Sequence, residues 1–343
     1  MLVALSARSG FARVEENPCA PDIEQALRQI GNGRRSDLTL WTNGRVPGRY
    51  YTRDVRAHFG LNNHFQGVER LRDSNFMVVS GGVIQEHQAQ LFVAEMRSRP
   101  EEGDFGSNLS GKPAAAPPED GMVERLDFDD PVHWHAGGLA RIGDVVVVPL
   151  SSHGENDSRI VFYDFSTPLN PVKIPTEIVQ AQGGGSVAIE KLPDGRFIVV
   201  TQIEEALQFY YSRSARLEDG FEDAVVSRRT KVKRGFHGEG IQLIRQCDGR
   251  LFYLDFDNDG PLPPLINGQD QVRLHEITGA TGNRADDIVA ELKSRVHLTC
   301  GGSCNFAATA GLYVGEDHRV RIYSTYFYRG VRGSQLRFAE FAQ

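Results

Sequence analysis

The sequence predicts an all-β fold, a five-bladed β-propeller built from four-stranded antiparallel blades. Two observations lead to this prediction. Segments of similar pattern recur five times at intervals of about fifty to seventy residues, a period that indicates a repeat architecture. Each segment continues into a turn and two further short apolar runs, so every repeat unit is a small antiparallel sheet. Repeated sheets of this kind favour a propeller, in which the units stand around one central channel.

The first strands of the five units carry a further regularity. They begin at His64, His135, Gly183, His237 and Asn305 and read HFQGVERL, HAGGLARI, GGGSVAIEKL, HGEGIQLI and NFAATAGLYV. Three positions after each start stands a small residue: Gly67, Gly138, Ser186, Gly240 or Ala308. The first strands of a propeller converge at the channel, where large side chains would collide, and glycine within a strand often marks such a close approach.

The chain divides into an N-terminal arm or cap outside the blades, residues 1–35, and the propeller, residues 36–343. PDIEQALRQI (Pro21–Ile30) predicts a short helix in the arm, because proline and acidic residues open it and Gly31 follows it. LTLWT (Leu38–Thr42) predicts an isolated strand. We expect it to complete the last blade, which ends at Phe341, because this pairing removes an exposed sheet edge.

The remaining strands follow in order along the chain. Fourth strands are predicted at Met122–Phe128 and within KIPTEIVQ and ELKSRVHL, and the Pro- and Gly-rich stretch before Met122 predicts a surface loop. The turns between first and second strands read PDGR, CDGR and EDHR in the third, fourth and fifth units. This recurrence at one position fixes the register of the units. We expect these turns at one end of the channel and the five strand starts at the other.

Composition excludes several functional classes. The chain of 343 residues carries a net charge of −7, which argues against nucleic-acid binding, and the basic run Ser227–Arg234 is interpreted as a solvated hairpin. No apolar stretch is long enough to span a membrane, so a soluble protein is expected. The compartment stays open between the cytoplasm and export by a signal not evident in this chain. The four cysteines predict one disulfide or none, with Cys300–Cys304 undecided.

Histidine is the main functional signal. The loops and strand starts at one end of the predicted channel collect seven of the ten histidines: His58, His64, His87, His133, His135, His153 and His237. Imidazole is a common transition-metal ligand, and three such ligands leave a position for water or substrate. We therefore predict that His64, His135 and His237 bind one metal ion, with zinc, iron or copper preferred. The alternatives are a metal-free pocket and structural histidines that fill the channel mouth.

Other residues at this end are candidates for supporting roles. Glu239 is a candidate general base or further ligand, unless it pairs with Arg70 or Arg141, and His153 is a candidate acid or base, unless it is a solvated loop residue. Strand alternation predicts Gln66 on the same side as His64. Asn305, Gln66, His133 and Tyr326 complete the candidates at the mouth. Asp129, Asp130 or Glu69 are expected to orient the ligands. DFDNDG (Asp255–Gly260) leaves a calcium site as a further possibility.

The repeats, the small residues and the first-strand histidines resemble the β-propeller superfamily, in its five-bladed form. The resemblance covers Leu38 to Phe341. Five-bladed glycosidases carry acidic residues at the starts of their first strands, whereas here these positions are His, His, Gly, His and Asn. Some lyases and oxidases on larger propellers hold a metal ion with first-strand histidines, which is similar in kind. Fold alone does not give function.

Two functional hypotheses follow. The first is a metal-dependent enzyme, a lyase, hydrolase or oxidoreductase, acting on a small organic molecule at the histidine-rich mouth. The second is a non-catalytic propeller that binds a ligand, a glycan or a protein, with structural histidines. The loops between second and third strands differ sharply among the five units, from QIEEA to FDNDGPLPPLINGQ. Unequal loops around one axis indicate a single asymmetric pocket, which favours the enzyme. The substrate, reaction type, metal and oligomeric state stay open.

Overall fold

Five antiparallel sheets make up the described part of the fold. The computed structural model describes residues 14–31, 34–41, 63–83, 87–95, 121–152, 157–181, 184–227, 229–230, 232, 240–258, 269–282, 285–300, 304–306, 309–325 and 335–343. Each sheet is a meander of neighbouring strands, and together they form a five-bladed propeller. The predicted fold class is confirmed.

The strands of blades 1 and 2 are as follows. Blade 1 contains β2 (Asn63–Arg70), β3 (Phe76–Val83), β4 (Gln88–Glu95) and β5 (Gly121–Asp127). Blade 2 contains β6 (His135–Ala136), β7 (Ala140–Ile142), β8 (Val145–Ser151), β9 (Ser158–Asp164) and β10 (Val172–Gln180). In blade 2, β6 and β7 together form the first strand, and both pair with β8.

The other three blades repeat this order. Blade 3 contains β11 (Val187–Lys191), β12 (Phe197–Ile203), β13 (Ala206–Tyr211) and β14 (Val225–Ser227), and blade 4 contains β15 (Gly240–Arg245), β16 (Leu251–Asn258), β17 (Asp270–Thr278) and β18 (Val289–Leu298). Blade 5 contains β19 (Gly311–Val314), β20 (Val320–Thr325), β21 (Gln335–Ala342) and β1 (Arg34–Trp41). Short 3-10 turns lie at Leu217–Asp219, Ala280–Gly282 and Ala285–Asp287.

The N-terminal strand closes the ring, as predicted. β1 pairs antiparallel with β21 over its whole length, from Arg34 opposite Ala342 to Trp41 opposite Gln335. It is therefore the outer strand of the last blade, and a segment from the start of the chain completes a sheet made from its end. Such pairing leaves no unpaired edge on β21.

The hydrophobic core lies between the blades. Five clusters of buried apolar residues each join one pair of neighbouring blades, with Phe65 and Tyr323 between blades 1 and 5 as an example. The helix α1 (Ile23–Gly31) adds Ile23, Leu27 and Ile30 to the cluster between blades 4 and 5. No helix of the described residues is long and apolar enough to cross a membrane.

The first strands approach one another closely, as their small residues predicted. A Cβ atom on Gly67 would lie 2.4 Å from the backbone nitrogen of Leu139 in blade 2. In blade 5 the predicted residue Ala308 lies outside the described residues, but a Cβ atom on Gly311 of β19 would lie 1.7 Å from the carbonyl oxygen of Val68 in blade 1. A residue with a side chain therefore fits at neither position unless the blades move apart.

The two ends of the channel differ in their covering. At one end, here called the turn end, the first strands finish and the turns with Asp194, Asp248 and Asp317 begin; each carboxylate accepts a hydrogen bond from the N–H two residues later. At the other, the histidine end, β6 begins at His135 and β8 finishes at Ser151.

The N-terminal arm crosses the turn end and contacts every blade. Glu15 pairs with Arg72 of blade 1, Asn17 donates to the Arg141 carbonyl of blade 2 (2.8 Å), and Glu16 lies 3.6 Å from Lys191 of blade 3. Glu16 also pairs with Arg245 of blade 4, and the ring of His318 in blade 5 is 2.9 Å from the Cys19 carbonyl oxygen. The arm is thus a cover for this end of the channel.

Two disulfides correct the expectation of one or none. Cys19–Cys247 fastens the arm to the turn between β15 and β16, and Cys300–Cys304 closes a short loop before blade 5. The expected solvated hairpin at residues 227–234 is also wrong where the structure describes it. Thr230 and Val232 are buried, and the Thr230 hydroxyl accepts a hydrogen bond from the Leu207 N–H (2.9 Å).

Candidate functional site

The histidine end of the channel is the candidate site, and the structure describes part of it. Side chains are described for Gln66, His133, His135 and Asn305. For His64 only the backbone is described, on β2 opposite Gly82. The proposed ligand His237 and the candidates Glu239, His153 and Tyr326 lie outside the described residues, as does Gly183. The metal site therefore stays a prediction.

His135 is buried where the first strand of blade 2 begins. Its side chain is oriented from two directions: Nδ1 lies 3.2 Å from Ser151 Oγ on β8, and Nε2 lies 2.8 Å from Gln66 Nε2 in blade 1. The second contact requires the Gln66 amide to donate to a neutral ring nitrogen. Gln66 Oε1 is buried and has no hydrogen-bond partner among the described residues. The imidazole is therefore held at both nitrogens, and a metal ion at Nε2 would have to replace the Gln66 amide. The buried amide oxygen of Gln66 suits a donor group of a ligand.

Gln66 reaches His135 because of a bulge in β2. The register of β2 with β3 shifts between Phe65 and Gly67, so that Gln66 is the extra residue. The expectation that Gln66 and His64 share one side of a regular strand does not apply, because a bulge re-aims side chains near it. Bulges are frequent next to functional sites for this reason.

A proline explains why the first strand of blade 2 is interrupted beside His135. Pro149 on β8 accepts a hydrogen bond from the Gly137 N–H (3.0 Å), but it has no N–H to return to the Gly137 carbonyl. That carbonyl instead accepts a hydrogen bond from the Ser80 hydroxyl of blade 1 (2.6 Å). The next residue, Gly138, donates to the Gly185 carbonyl of blade 3 (2.8 Å). Three blades are thus joined by hydrogen bonds directly below His135.

His133 and His87 have local partners in the structure. His133 is buried with Nδ1 3.0 Å from Asp130 and Nε2 3.1 Å from Asp157. Burial raises the pKa of Asp130, but hydrogen bonds from His133 and from the Val132 N–H outweigh this effect, and the pKa is lowered. His133 therefore links the loop that carries Asp130 to the loop that carries Asp157.

His87 stacks on Trp134, with ring centroids 4.6 Å apart and planes at 4°. This contact packs the turn before β4 onto the residue that precedes His135. Asp130 orients His133 rather than His135, and Glu69 lies near the turn end, where it accepts a hydrogen bond from Gln242. Neither residue is thus placed against His135 as the sequence suggested.

Asn305 is buried, but it does not begin the first strand of blade 5 as predicted, because β19 begins at Gly311. Its carbonyl accepts a hydrogen bond from the Thr309 N–H (3.1 Å), and its N–H donates to the Thr325 carbonyl (3.2 Å). Asp270 holds the neighbouring residue, because its carboxylate accepts a hydrogen bond from the Phe306 N–H (2.9 Å). The backbone of this segment is therefore fixed, which is needed of a residue that presents a side chain to a ligand.

Sequence reasoning missed a buried ionic cluster between blades 3 and 4. Asp255 and Asp257 on β16 face Arg273 and His275 on β17, with Arg273 paired to Asp255 and 3.5 Å from Asp257. Burial raises the pKa of Asp255 to about 6 against the opposing charge of Arg273. Burial and the charges of Arg273 and Arg295 lower the pKa of His275 to about 4. The alternation of polar with apolar residues in YLDFD was the available signal.

The described residues contain one group with metal-ligand spacing, and it is not at the histidine end. Cys19, Cys247 and His318 form it at the turn end, beside a groove of about 250 Å³ lined by α1 and the turn before β20. The segment Asp255–Gly260, where the sequence left a calcium site as a possibility, is described up to Asn258, and there Asp255 and Asp257 face Arg273.

Comparisons with known proteins give only distant likenesses. No protein-family model matches the chain, and no characterised protein matches it by sequence. A hypothetical protein from Leishmania major is 13% identical, with coverage of 92% of this chain and 93% of that one and a TM-score of 0.46. The mannose phosphorylase MPT-4 from Leishmania mexicana is 12% identical, with coverages of 93% and 92% and a TM-score of 0.46.

A GH43 protein, BlXynB from Bacillus licheniformis, is 9% identical, with coverage of 82% of this chain and 57% of that one and a TM-score of 0.47. Likenesses at this level of identity and TM-score carry no inference about activity.

Proposed function

We propose that this propeller is a metal-dependent enzyme that acts on a small organic molecule at the histidine end of its channel. The observation that carries the proposal is the setting of His135. Its ring is buried at the start of a first strand, with one nitrogen at Ser151 and the other beside Gln66, whose Oε1 has no partner among the described residues. Buried polar atoms without partners are costly and are a mark of binding sites.

The opposite end of the channel supports this placement. The arm crosses the turn end and is held there by Arg72, Lys191, Arg245 and the Cys19–Cys247 disulfide. A ligand that approaches the axis therefore meets the arm at that end, whereas the histidine end carries the unequal loops between second and third strands. A single pocket among unequal loops suits one small substrate better than five repeated sites.

Each residue of the site has a proposed role. His64, His135 and His237 hold the ion through ring nitrogens, while Ser151 fixes the orientation of the His135 ring and Gln66 or Asn305 offers an amide to the substrate. A bound metal ion supplies Lewis-acid chemistry, polarising a carbonyl group or lowering the pKa of a bound water. Glu239 accepts a proton from the substrate or water, and His153 returns one to the leaving group. Lyase, hydrolase and oxidoreductase chemistry all remain within this proposal.

A non-catalytic binding propeller is the second candidate, and one observation favours it. Two histidines at this end already have structural partners, since His133 lies between Asp130 and Asp157 and His87 stacks on Trp134. If His64 and His237 also had structural partners within the protein, the histidine end would bind ligands through hydrogen bonds alone.

Metal analysis of the variant His135→Ala tests the proposal. The protein is purified without a histidine tag, kept oxidised so that its cysteines stay paired, and reconstituted in turn with zinc, iron, copper and nickel. We expect one bound ion in the parent, loss of that ion in H135A with an unchanged circular dichroism spectrum, and full retention in His297→Ala, an exposed histidine on β18. A parent that takes up none of the four metals, or an H135A variant with full metal content, would leave the binding propeller as the better description.

A further inference from the structure

His318 occupies an unusual position in the repeated turns. In the turns PDGR and CDGR the third residue is a glycine with positive φ, 90° at Gly195 and 92° at Gly249. In the turn EDHR the equivalent residue is His318, which adopts a φ of 60°. Residues other than glycine are uncommon in this region, but histidine adopts it more readily than most, so the turn keeps its shape with a side chain at this position.

The turn brings His318 to the disulfide that anchors the arm. The sulfur atoms of Cys19 and Cys247 and a ring nitrogen of His318 all lie within 4.8 Å of one another. The three residues come from three separate elements: the arm, the turn between β15 and β16, and the turn between β19 and β20. His318 and Cys247 are exposed, and Cys19 is half-buried. Solvent therefore reaches the cluster.

The ring of His318 is already oriented by the arm. Its Nδ1 lies 2.9 Å from the Cys19 carbonyl oxygen, an acceptor, so Nδ1 carries the proton and Nε2 carries the lone pair of the neutral ring. A metal-binding histidine commonly donates its other N–H to a backbone carbonyl in this way. In a tetrahedral zinc site, neighbouring sulfurs are about 3.8 Å apart and sulfur and nitrogen about 3.5 Å apart, so the two sulfurs would separate by about 2 Å once their bond is broken.

We propose that Cys19, Cys247 and His318 form a zinc site when the Cys19–Cys247 disulfide is reduced. Two thiolates and one imidazole are the ligands that zinc prefers, and the exposed side of the cluster leaves the fourth position to water or a small ligand. The arm is then held over the turn end in both redox states, by the disulfide when oxidised and by the metal ion when reduced. This inference concerns the turn end and does not depend on the proposed function.

The change from the Cys19–Cys247 disulfide to the zinc site balances in electrons and protons. A dithiol reductant, such as dithiothreitol, transfers two electrons and two protons to the disulfide and is itself oxidised to its cyclic disulfide. The two thiols formed, on Cys19 and Cys247, lose their protons to solvent as they bind the divalent ion. A small-molecule disulfide, such as oxidised glutathione, takes two electrons from the two thiolates and is itself reduced to two thiols, which releases the ion and restores the S–S bond.

Cobalt binding tests the proposal, because thiolate-to-cobalt charge-transfer absorption distinguishes this site from a histidine-only site at the other end. The variant Cys300→Ser/Cys304→Ser is used throughout, so that Cys19 and Cys247 are the only cysteines. Reduced with a phosphine, it should bind one more equivalent of Co²⁺ than when oxidised and show the charge-transfer band, and Zn²⁺ should displace the cobalt. The oxidised form should show no band.

Removing His318 provides the specific control. Loss of a residue that only orients a ligand typically weakens metal binding about 10–100-fold. His318→Ala in the same background should weaken zinc binding at this site by more than this, because it removes a ligand. His297→Ala should leave zinc binding unchanged. In the reduced protein, zinc should restore hydrogen-exchange protection to residues 14–20 and should fail to do so in H318A. The proposal is overturned if reduction adds no metal equivalent, or if H318A binds zinc as tightly as its parent and gives the same cobalt spectrum. The latter result would mean adventitious binding to two thiols.

Discussion

The buried carboxyl group of Glu190, near the turn end, makes the stability of the fold depend on pH. Glu190, at the end of β11, is buried, and its Oε1 accepts a hydrogen bond from the Lys191 N–H (2.8 Å). Burial raises the pKa of Glu190 to about 7, despite that hydrogen bond and the charge of Arg245. The folded protein therefore binds this proton more tightly than the unfolded chain. The contribution to stability is present below the ordinary glutamate pKa and is lost as the pH rises to about 7.

Replacing this carboxyl by an amide should remove the titration. Glu190→Gln keeps an oxygen for the Lys191 N–H but never becomes charged. At pH 5 we expect the variant and the parent to have similar free energies of unfolding. Between pH 5 and pH 8 the parent should lose stability relative to the variant by roughly 2–3 kcal/mol. Urea unfolding at several pH values measures this difference.

Glu205→Gln is the matched control, since Glu205 is exposed in the turn between β12 and β13. Its stability difference from the parent should stay constant across the same pH range. A constant difference for Glu190→Gln as well would show that the buried carboxyl does not titrate as described.

Individual residues show which local features the sequence could predict and which it could not. The start of β6 at His135, the turns PDGR and CDGR and the small residues at Gly67 and Gly138 were visible, because each depends on local backbone geometry. The start of β19 was not, since the sequence placed it at Asn305 and the strand begins at Gly311. The bulge at Gln66 was not, because one extra residue in a strand leaves no signal in the surrounding sequence. The partners Asp130 and Asp157 of His133 come from two loops, so only the folded chain reveals them.

At the scale of elements, the arm is the part that the sequence explained least. It was expected to lie outside the blades as an arm or cap, and Glu15, Glu16 and Asn17 place it across the turn end as a cap. The pairing of Cys19 with Cys247 spans 228 residues, so no spacing rule predicts it. It depends on the turn between β15 and β16 meeting the arm in the folded molecule.

The two disulfides should differ in how much they stabilise the fold and in which segment each one restrains. In the chain-entropy view, closing a loop of 228 residues is worth about 5 kcal/mol, whereas a loop of 4 residues is worth about 2 kcal/mol. We expect Cys19→Ser/Cys247→Ser to lower the free energy of unfolding by several kcal/mol and to increase hydrogen exchange at residues 14–20. Cys300→Ser/Cys304→Ser should change exchange only near residues 300–306. Unchanged exchange of the arm in the first variant would show that its other contacts suffice to hold it.

For the whole molecule, the pairing of β1 with β21 determines whether the ring is closed. Blade 5 is the one blade whose strands come from both ends of the described chain. Without β1, the edge of β21 would present unpaired N–H and C=O groups to other chains. The stability of the ring therefore depends on the backbone hydrogen bonds between β1 and β21. The side chains of the first blades do not replace these bonds.

Proline substitutions at two adjacent positions of β1 test this closure. Leu38 and Thr39 lie opposite Phe338 and Arg337 of β21. Since β1 is an edge strand, the N–H of one of these residues points to β21 and that of the other points away. Of the variants Leu38→Pro and Thr39→Pro, one should lose a ladder bond and be less stable than the other by at least about 1 kcal/mol. The less stable variant should also self-associate in light scattering, because its β21 edge becomes exposed. Each variant controls for the restricted φ of the other, so equal stability and equal scattering of the two would mean that β1 does not close the ring.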